Sequence, residues 1–187
     1  LDKRCPCGDF DIVYIKDEKV PRCSGSYDCK ISKKEMLIYF ASKSGLDIEG
    51  LGRETVETLI ANKLVENFED FYSLTYEELI SLPQWKEKKT KNLLEAIEKS
   101  KNSEQEKLLP ALGIRYVGKQ TSKLLVNTFG SIRNIFDAST DEINKIHGIS
   151  ESVSSSLIEW YSENTNKLLI TNLEEIGFGI SKKIQKT

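Results

Sequence analysis

The sequence predicts a mainly α-helical protein. Short helices are joined by four tight loops that form two duplicated pairs, behind a small N-terminal β-hairpin that carries four cysteines. Three observations predict this. A short loop recurs as Ile48-Glu49-Gly50-Leu51-Gly52, Leu82-Pro83-Gln84-Trp85-Lys86, Gly113-Ile114-Arg115-Tyr116-Val117-Gly118 and Ile146-His147-Gly148-Ile149-Ser150, its last positions 34, 32 and 32 residues apart. Apolar residues at helical spacing follow each copy: Val56, Leu59 and Ile60; Leu93, Leu94 and Ile97; Leu124 and Leu125; Val153, Leu157, Ile158 and Tyr161. All four cysteines lie within the first 29 residues.

The elements follow in chain order. Phe10, Ile12 and Tyr14 alternate with Asp11, Val13 and Ile15, and Lys16-Asp17-Glu18-Lys19 reads as a turn, so a β-hairpin is expected near the N-terminus. From about Ser32 to Gly177 the expectation is short helices with tight loops. Ser32/Glu35, Thr75/Glu78, Ser103/Glu106 and Ser139/Glu142 have capping-box spacing, and Ile31 with Met36 and Leu74 with Leu79 are placed as hydrophobic staples. The stretch from Phe68 to Leu82 matches the stretch from Ile132 at an offset of 64, with Phe71 on Ile135, Thr75 on Ser139, Glu78 on Glu142 and Leu79 on Ile143. Such self-similarity marks a supersecondary unit that buries its apolar face against a neighbour. Trp85 and Trp160 read as packing residues. The domain reading is residues 1–31 for the cysteine module, 32–178 for the helical array with loops at 48–52, 82–86, 113–118 and 146–150, and 179–187 for a linker or tail bearing Lys182, Lys183 and Lys186.

Length and composition bound the function. The 187 residues make one medium domain or a domain with a small appendage. The 39% hydrophobic content suffices for a core, and 30% charged residues is high. No apolar run is long enough to span a bilayer and no signal-peptide pattern opens the chain. The chain begins at Leu1 and not Met, and the expectation is a fragment or processed product. Net charge is −2, so there is no protein-wide positive field. Lysines 86, 88, 89 and 91 nevertheless cluster at the second loop, and Arg115, Lys119 and Lys123 at the third. Each of these lysines reads equally well as solvated helix surface.

Cys5-Pro6-Cys7-Gly8 is followed by Cys23 and Cys29. Two close pairs flanking a short hairpin form the layout of a structural four-cysteine zinc site in a reducing compartment. A segment this small gains its folding free energy from the metal. The first pair has one intervening residue and the second five, so an empty site and disulfides stand as alternatives. Four thiolates leave no open coordination position, which argues against a catalytic metal.

The glycine loops suggest a partner. A tight glycine turn opening a helix offers free N–H groups and a partial positive charge to a phosphate. Four in one array suit a surface that follows a nucleic-acid backbone. His147, the single histidine, has no neighbouring Ser, Cys or carboxylate pattern, and neither a nucleotide P-loop, a Rossmann signature nor a paired-carboxylate motif occurs. No catalytic residue is expected.

These residues resemble a known family. Cys5-Pro6-Cys7-Gly8, the Cys23/Cys29 pair, Ile38-Tyr39-Phe40-Ala41-Ser42, Asp47-Ile48-Glu49-Gly50-Leu51-Gly52 and Ala111-Leu112-Gly113-Ile114-Arg115-Tyr116-Val117-Gly118 look like the C-terminal half of bacterial NAD-dependent DNA ligase, from roughly Cys5 to Gly177. The resemblance implies a four-cysteine zinc finger followed by a tandem array of four helix-hairpin-helix motifs that binds duplex DNA in the minor groove around a nick. It implies a bacterial, cytoplasmic, nucleoid-associated protein with no membrane partner, monomeric, its partners being nicked duplex and the rest of the ligase chain. NAD and magnesium would act only in upstream domains. No Lys-x-Asp-Gly string occurs here, so this stretch alone should neither adenylate nor ligate. The site residues are then zinc ligands Cys5, Cys7, Cys23 and Cys29, and DNA contacts at Gly50, Leu51, Gly52, Arg53, Lys86, Gly113, Ile114, Arg115, Val117, Gly118, Lys119, Gly148, Ile149 and Ser150.

The chain departs from the family pattern at both cysteine spacings, at the second hairpin, which has lost its glycines, and at Ser150, which replaces a glycine and whose hydroxyl is expected to cap the next helix. The alternatives are a helix-hairpin-helix module of another repair or recombination protein, and a protein-interaction scaffold. An upstream Lys-x-Asp-Gly motif favours ligase over the first, and titration with bare duplex separates the second.

Overall fold

The alternating segment at residues 10–15 forms strand only at its centre, with Asp11 in an isolated bridge to Arg4. In the computed structural model, which describes residues 3–16, 18–25 and 28–183, β1 (Ile12–Val13) pairs antiparallel with β2 (Arg22–Cys23), Ile12 opposite Cys23 and Val13 opposite Arg22. Helices follow: α1 (Lys30–Ala41), α2 (Arg53–Ala61), a 3-10 helix (Phe68–Ser73), α3 (Tyr76–Ile80), α4 (Glu87–Ser100), α5 (Gln105–Ala111), α6 (Lys119–Phe129), α7 (Ile132–Asp137), α8 (Thr140–Asn144), α9 (Glu151–Ser162) and α10 (Asn164–Ile176).

Each loop joins two helices that pack on one another: α1 on α2, α3 on α4, α5 on α6 and α8 on α9. The duplication is visible in three dimensions. The 3-10 helix packs on α4 and its counterpart α7 packs on α9, while α10 lies on both α9 and the 3-10 helix. Equivalent positions share burial: Phe71 and Ile135, Leu79 and Ile143, Leu93 and Leu157 are all core. The fourth residue after each loop (Val56, Thr90, Ser122, Ser154) is fully buried. The second helix of every unit therefore turns its first inward face to the core at the same point. Trp85 and Trp160 are buried too, the latter stacked on Phe136 at 5.4 Å.

Two of the four expected capping boxes form. Thr75 and Ser139 accept from the N–H of Glu78 and Glu142, and both glutamates return the bond. Ser32 lies inside α1, because the helix already starts after Cys29. Ser103 precedes the N-cap Glu104 of α5, its N–H donating to the Ser100 carbonyl at the end of α4. Two caps were not legible: the Ser131 hydroxyl accepts from the N–H of Asn134 to open α7, and the Asp70 carboxylate accepts from the N–H groups of Glu66 and Asn67 at the start of the 3-10 helix. Residues 179–182, read as the start of a linker, lie against the core instead. Phe178 and Ile180 are buried, the Arg133 N–H donates to the Ile180 carbonyl, and Gln105 Nε2 donates to the Lys182 carbonyl. Lys186 falls outside the described residues.

Candidate nucleic-acid interface and metal centre

The four loops share one turn. The N–H of the fourth residue donates to the carbonyl of the first: Leu51 to Ile48 at 3.1 Å, Trp85 to Leu82 at 3.2 Å, Val117 to Ile114 at 3.1 Å and Ile149 to Ile146 at 3.2 Å. The third residue is left-handed in every copy: Gly50 at φ +86°, Gln84 at +68°, Tyr116 at +64° and Gly148 at +91°. A turn of this kind requires positive φ at its third position. Apolar side chains at the first and fourth positions anchor it: Leu51, Ile114 and Val117 are buried and Ile149 is half-buried. Leu51, Ile114 and Val117 can therefore offer a ligand only their backbone.

Gly113 is not part of this turn. Its φ of +73° ends α5, directly after the C-cap Leu112, so the expectation that Gly113 and Gly118 bracket one hairpin is corrected to residues 114–118. The fifth position is the N-cap of the following helix: Gly52 for α2, Lys86 for α4, Gly118 for α6 and Ser150 for α9, each with extended backbone and no side-chain cap. The expected Ser150 cap is thus absent, and the first-turn N–H groups of all four helices have no side-chain partner among the described residues. A Cβ added at Gly52 or Gly118 would meet nothing within 4 Å. Neither φ nor packing demands glycine there.

Charge differs among the hairpins. Glu54, Glu87 and Glu151 lie in the first turns of α2, α4 and α9, whereas α6 has no acid there and begins with Lys119. Lys86 and Lys119 are exposed and form no ion pair among the described residues. Arg53 is held by Glu35 of α1 through two bonds of 2.7 and 2.8 Å. The Arg53 guanidinium keeps the Glu35 carboxyl below the usual carboxylate range. Arg115 pairs with Glu18, and its carbonyl accepts from the Ser156 hydroxyl of α9 at 2.5 Å. Hairpin four in turn lies beside α6, where a Cβ on Gly148 would sit 3.6 Å from Leu124. Units three and four thus exchange contacts. In the first pair, Gly50 lies beside Leu93 of α4. Sequence reasoning missed the partners Glu35 and Glu18, for which no local spacing gives a signal.

The four cysteines converge. The Sγ atoms of Cys5, Cys7, Cys23 and Cys29 all lie within 4.8 Å of one another, and none is bridged. The Cys5 N–H donates to the Phe10 carbonyl and Gly8 turns back at φ +86°, which folds the Cys-Pro-Cys knuckle despite its short spacing. Sulfurs about 2.3 Å from a common tetrahedral centre stand about 3.8 Å apart. Cys5 and Cys29 are separated by 3.8 Å. The set fits a metal ion. Burial opposes the Cys29 thiolate, but hydrogen bonds from Ser32 at the start of α1 and from the neighbouring sulfurs bring the thiol down to about 6. Burial pushes Cys23 up to about 12.

Fold and site together define a mainly helical array of helix-hairpin-helix units joined to a small two-stranded module whose four clustered cysteines fit a metal ion. The helix-hairpin-helix motif family matches residues 107–170, which contain units three and four. The chain is 34% identical to a DNA ligase of Lysinibacillus sphaericus over 186 residues, 100% of this chain and 28% of the relative. It is 38% and 39% identical to DNA ligases of Geobacter sulfurreducens and Geobacter metallireducens, each over 174 residues, 92% of this chain and 26% of the relative. The resemblance to DNA ligases read from the motifs is borne out over the length of the chain. The chain spans about a quarter of the length of the relatives it matches. No helix among the described residues is long and apolar enough to cross a membrane.

Proposed function

We propose that this chain is the sequence-independent DNA-binding portion of a bacterial, cytoplasmic NAD-dependent DNA ligase. It holds duplex phosphates in the minor groove around a nick, as a monomer, while other domains adenylate and seal. The similarity to DNA ligases supports the parent, and the hairpins support the role. The observation that carries it is Gly118: an N-cap glycine that the fold does not require, at the start of a helix with open N–H groups and no first-turn acid. A phosphate approaches such a backbone closely, and a side chain would hold it off. Gly52 is placed alike, and Lys86 and Lys119 add charge. Zinc fits the four sulfurs as a closed structural centre at Cys5, Cys7, Cys23 and Cys29, and gives residues 1–31 a fold of their own beside the array at 32–178.

Gly118→Val tests this. Its extended φ and empty surroundings keep the variant folded, with a thermal midpoint only slightly lowered because valine is a poorer N-cap than glycine, and with duplex affinity reduced about tenfold, about 1.4 kcal/mol. Undiminished affinity in a folded Gly118→Val protein would remove the assigned role.

A further inference from the structure

Glu18 links the cysteine module to the helical array. It lies in the loop between β1 and β2, within the cysteine module, yet its carboxylate reaches the third hairpin. It pairs with the Arg115 guanidinium and accepts from the Tyr116 hydroxyl at 3.3 Å, while Arg22 of β2 binds its other oxygen at 2.8 Å. Among the described residues, no other side chain of the module makes a hydrogen bond or ion pair with the helical array beyond α1. The pair is partly sheltered: the Glu18 side chain is 14% exposed and that of Arg115 29%, with Arg115 Nε and Nη2 buried, while Arg22 and Tyr116 are about half exposed. Arg115 also lies over the Tyr116 ring at 4.9 Å. Tyr116 is the left-handed residue of this turn, so Glu18 grips the tip of the hairpin and not its flank.

We propose that Glu18 is a positioning residue that locks the cysteine module onto the third hairpin, and that Arg115 serves this joint and not a phosphate. Arg22 neighbours Cys23 in β2. Filling the metal site orders β2, β2 holds Glu18 through Arg22, and Glu18 fixes Arg115 and Tyr116. Metal occupancy is thereby transmitted to residues 114–118, which lead directly into the N-terminus of α6. A partly buried ion pair that loses one partner leaves the other charge less compensated, so the joint is sensitive to a single atom change at Glu18. The consequence for DNA rests on the phosphate-holding role of the third hairpin; the coupling itself does not.

The experiment is amide hydrogen exchange on the whole chain, wild type and Glu18→Gln, each with zinc and after removal of zinc by chelator. In the wild type, chelation should speed exchange at residues 114–118 by about tenfold and leave residues 82–86 unchanged, since local opening is read site by site. Glu18→Gln should retain zinc yet exchange at 114–118 at the chelated rate, with no further change on chelation. Equal rates at 114–118 in all four samples would overturn the proposal. If the variant fails to hold zinc, Arg115→Lys replaces it, since it keeps the charge but not the planar fork; a wild-type response to chelation in that variant would also overturn the proposal. Duplex binding then separates the two claims. Weaker binding by zinc-loaded Glu18→Gln is expected. Tighter binding would show that the carboxylate masks Arg115 and would overturn the locking role. If no sample binds duplex while the exchange pattern holds, the DNA-binding reading fails and the joint stands.

Discussion

At the scale of the residue, the hairpin tips separate what the backbone needs from what a ligand needs. Gly50 and Gly148 answer a positive φ, whereas Gln84 and Tyr116 occupy the same left-handed region with full side chains. A non-glycine residue there costs about 1 kcal/mol or more. Gln84→Gly should therefore raise stability by roughly 0.5–1 kcal/mol, read as a higher denaturant midpoint at unchanged slope. The reverse change, Gly50→Ala, should lower it by a similar amount. Neither left-handed residue was legible from its own chemistry. Tyr116 was hidden because Gly113, two residues before the true tip at Arg115-Tyr116, supplied a glycine at the expected place; counting back two positions from Gly118, as Gly50 stands to Gly52, would have found it. The pairing of Arg53 with Glu35 and of Arg115 with Glu18 joins residues 18 and 97 positions apart, and no sequence period encodes it.

At the scale of the element, the duplication was legible because capping and burial repeat together. Thr75 and Ser139 open equivalent helices with full capping boxes. Thr75→Ala and Ser139→Ala should each lower stability by about 1 kcal/mol. The double variant should lose close to the sum, because the two sites share no partner; thermal or urea unfolding reads all three. Where a pattern failed, a neighbouring element had claimed the same groups. Cys29 starts α1 ahead of Ser32, and the turn closing α4 takes the Ser103 N–H. The burial of Ile180 was not legible either, since an isolated isoleucine after Gly179 has no periodicity to betray it, and the bond from the Arg133 N–H of α7 to its carbonyl joins residues far apart in the chain.

At the scale of the whole molecule, two modules of different chemistry are joined. The helical array has its own core of leucine, isoleucine and aromatic side chains, while among the described residues the cysteine module contributes only Cys5 and Cys29 to the buried apolar set. Zinc removal should therefore unfold the module and leave the helical content nearly intact, as read by far-ultraviolet circular dichroism with and without chelator. Zinc retention should also weaken as pH falls, because protons compete with the metal for each thiolate; loss of helix in proportion to zinc would contradict the independence of the array.

The measurement that tests the central claim most directly is binding of this chain to nicked and intact duplexes of unrelated sequence across a salt series. The account predicts that the logarithm of affinity falls linearly with the logarithm of salt, at about 0.9 per phosphate engaged. It predicts equal affinity for unrelated sequences and tighter binding where a nick is present. An affinity that ignores salt, or no binding at low salt, would contradict it.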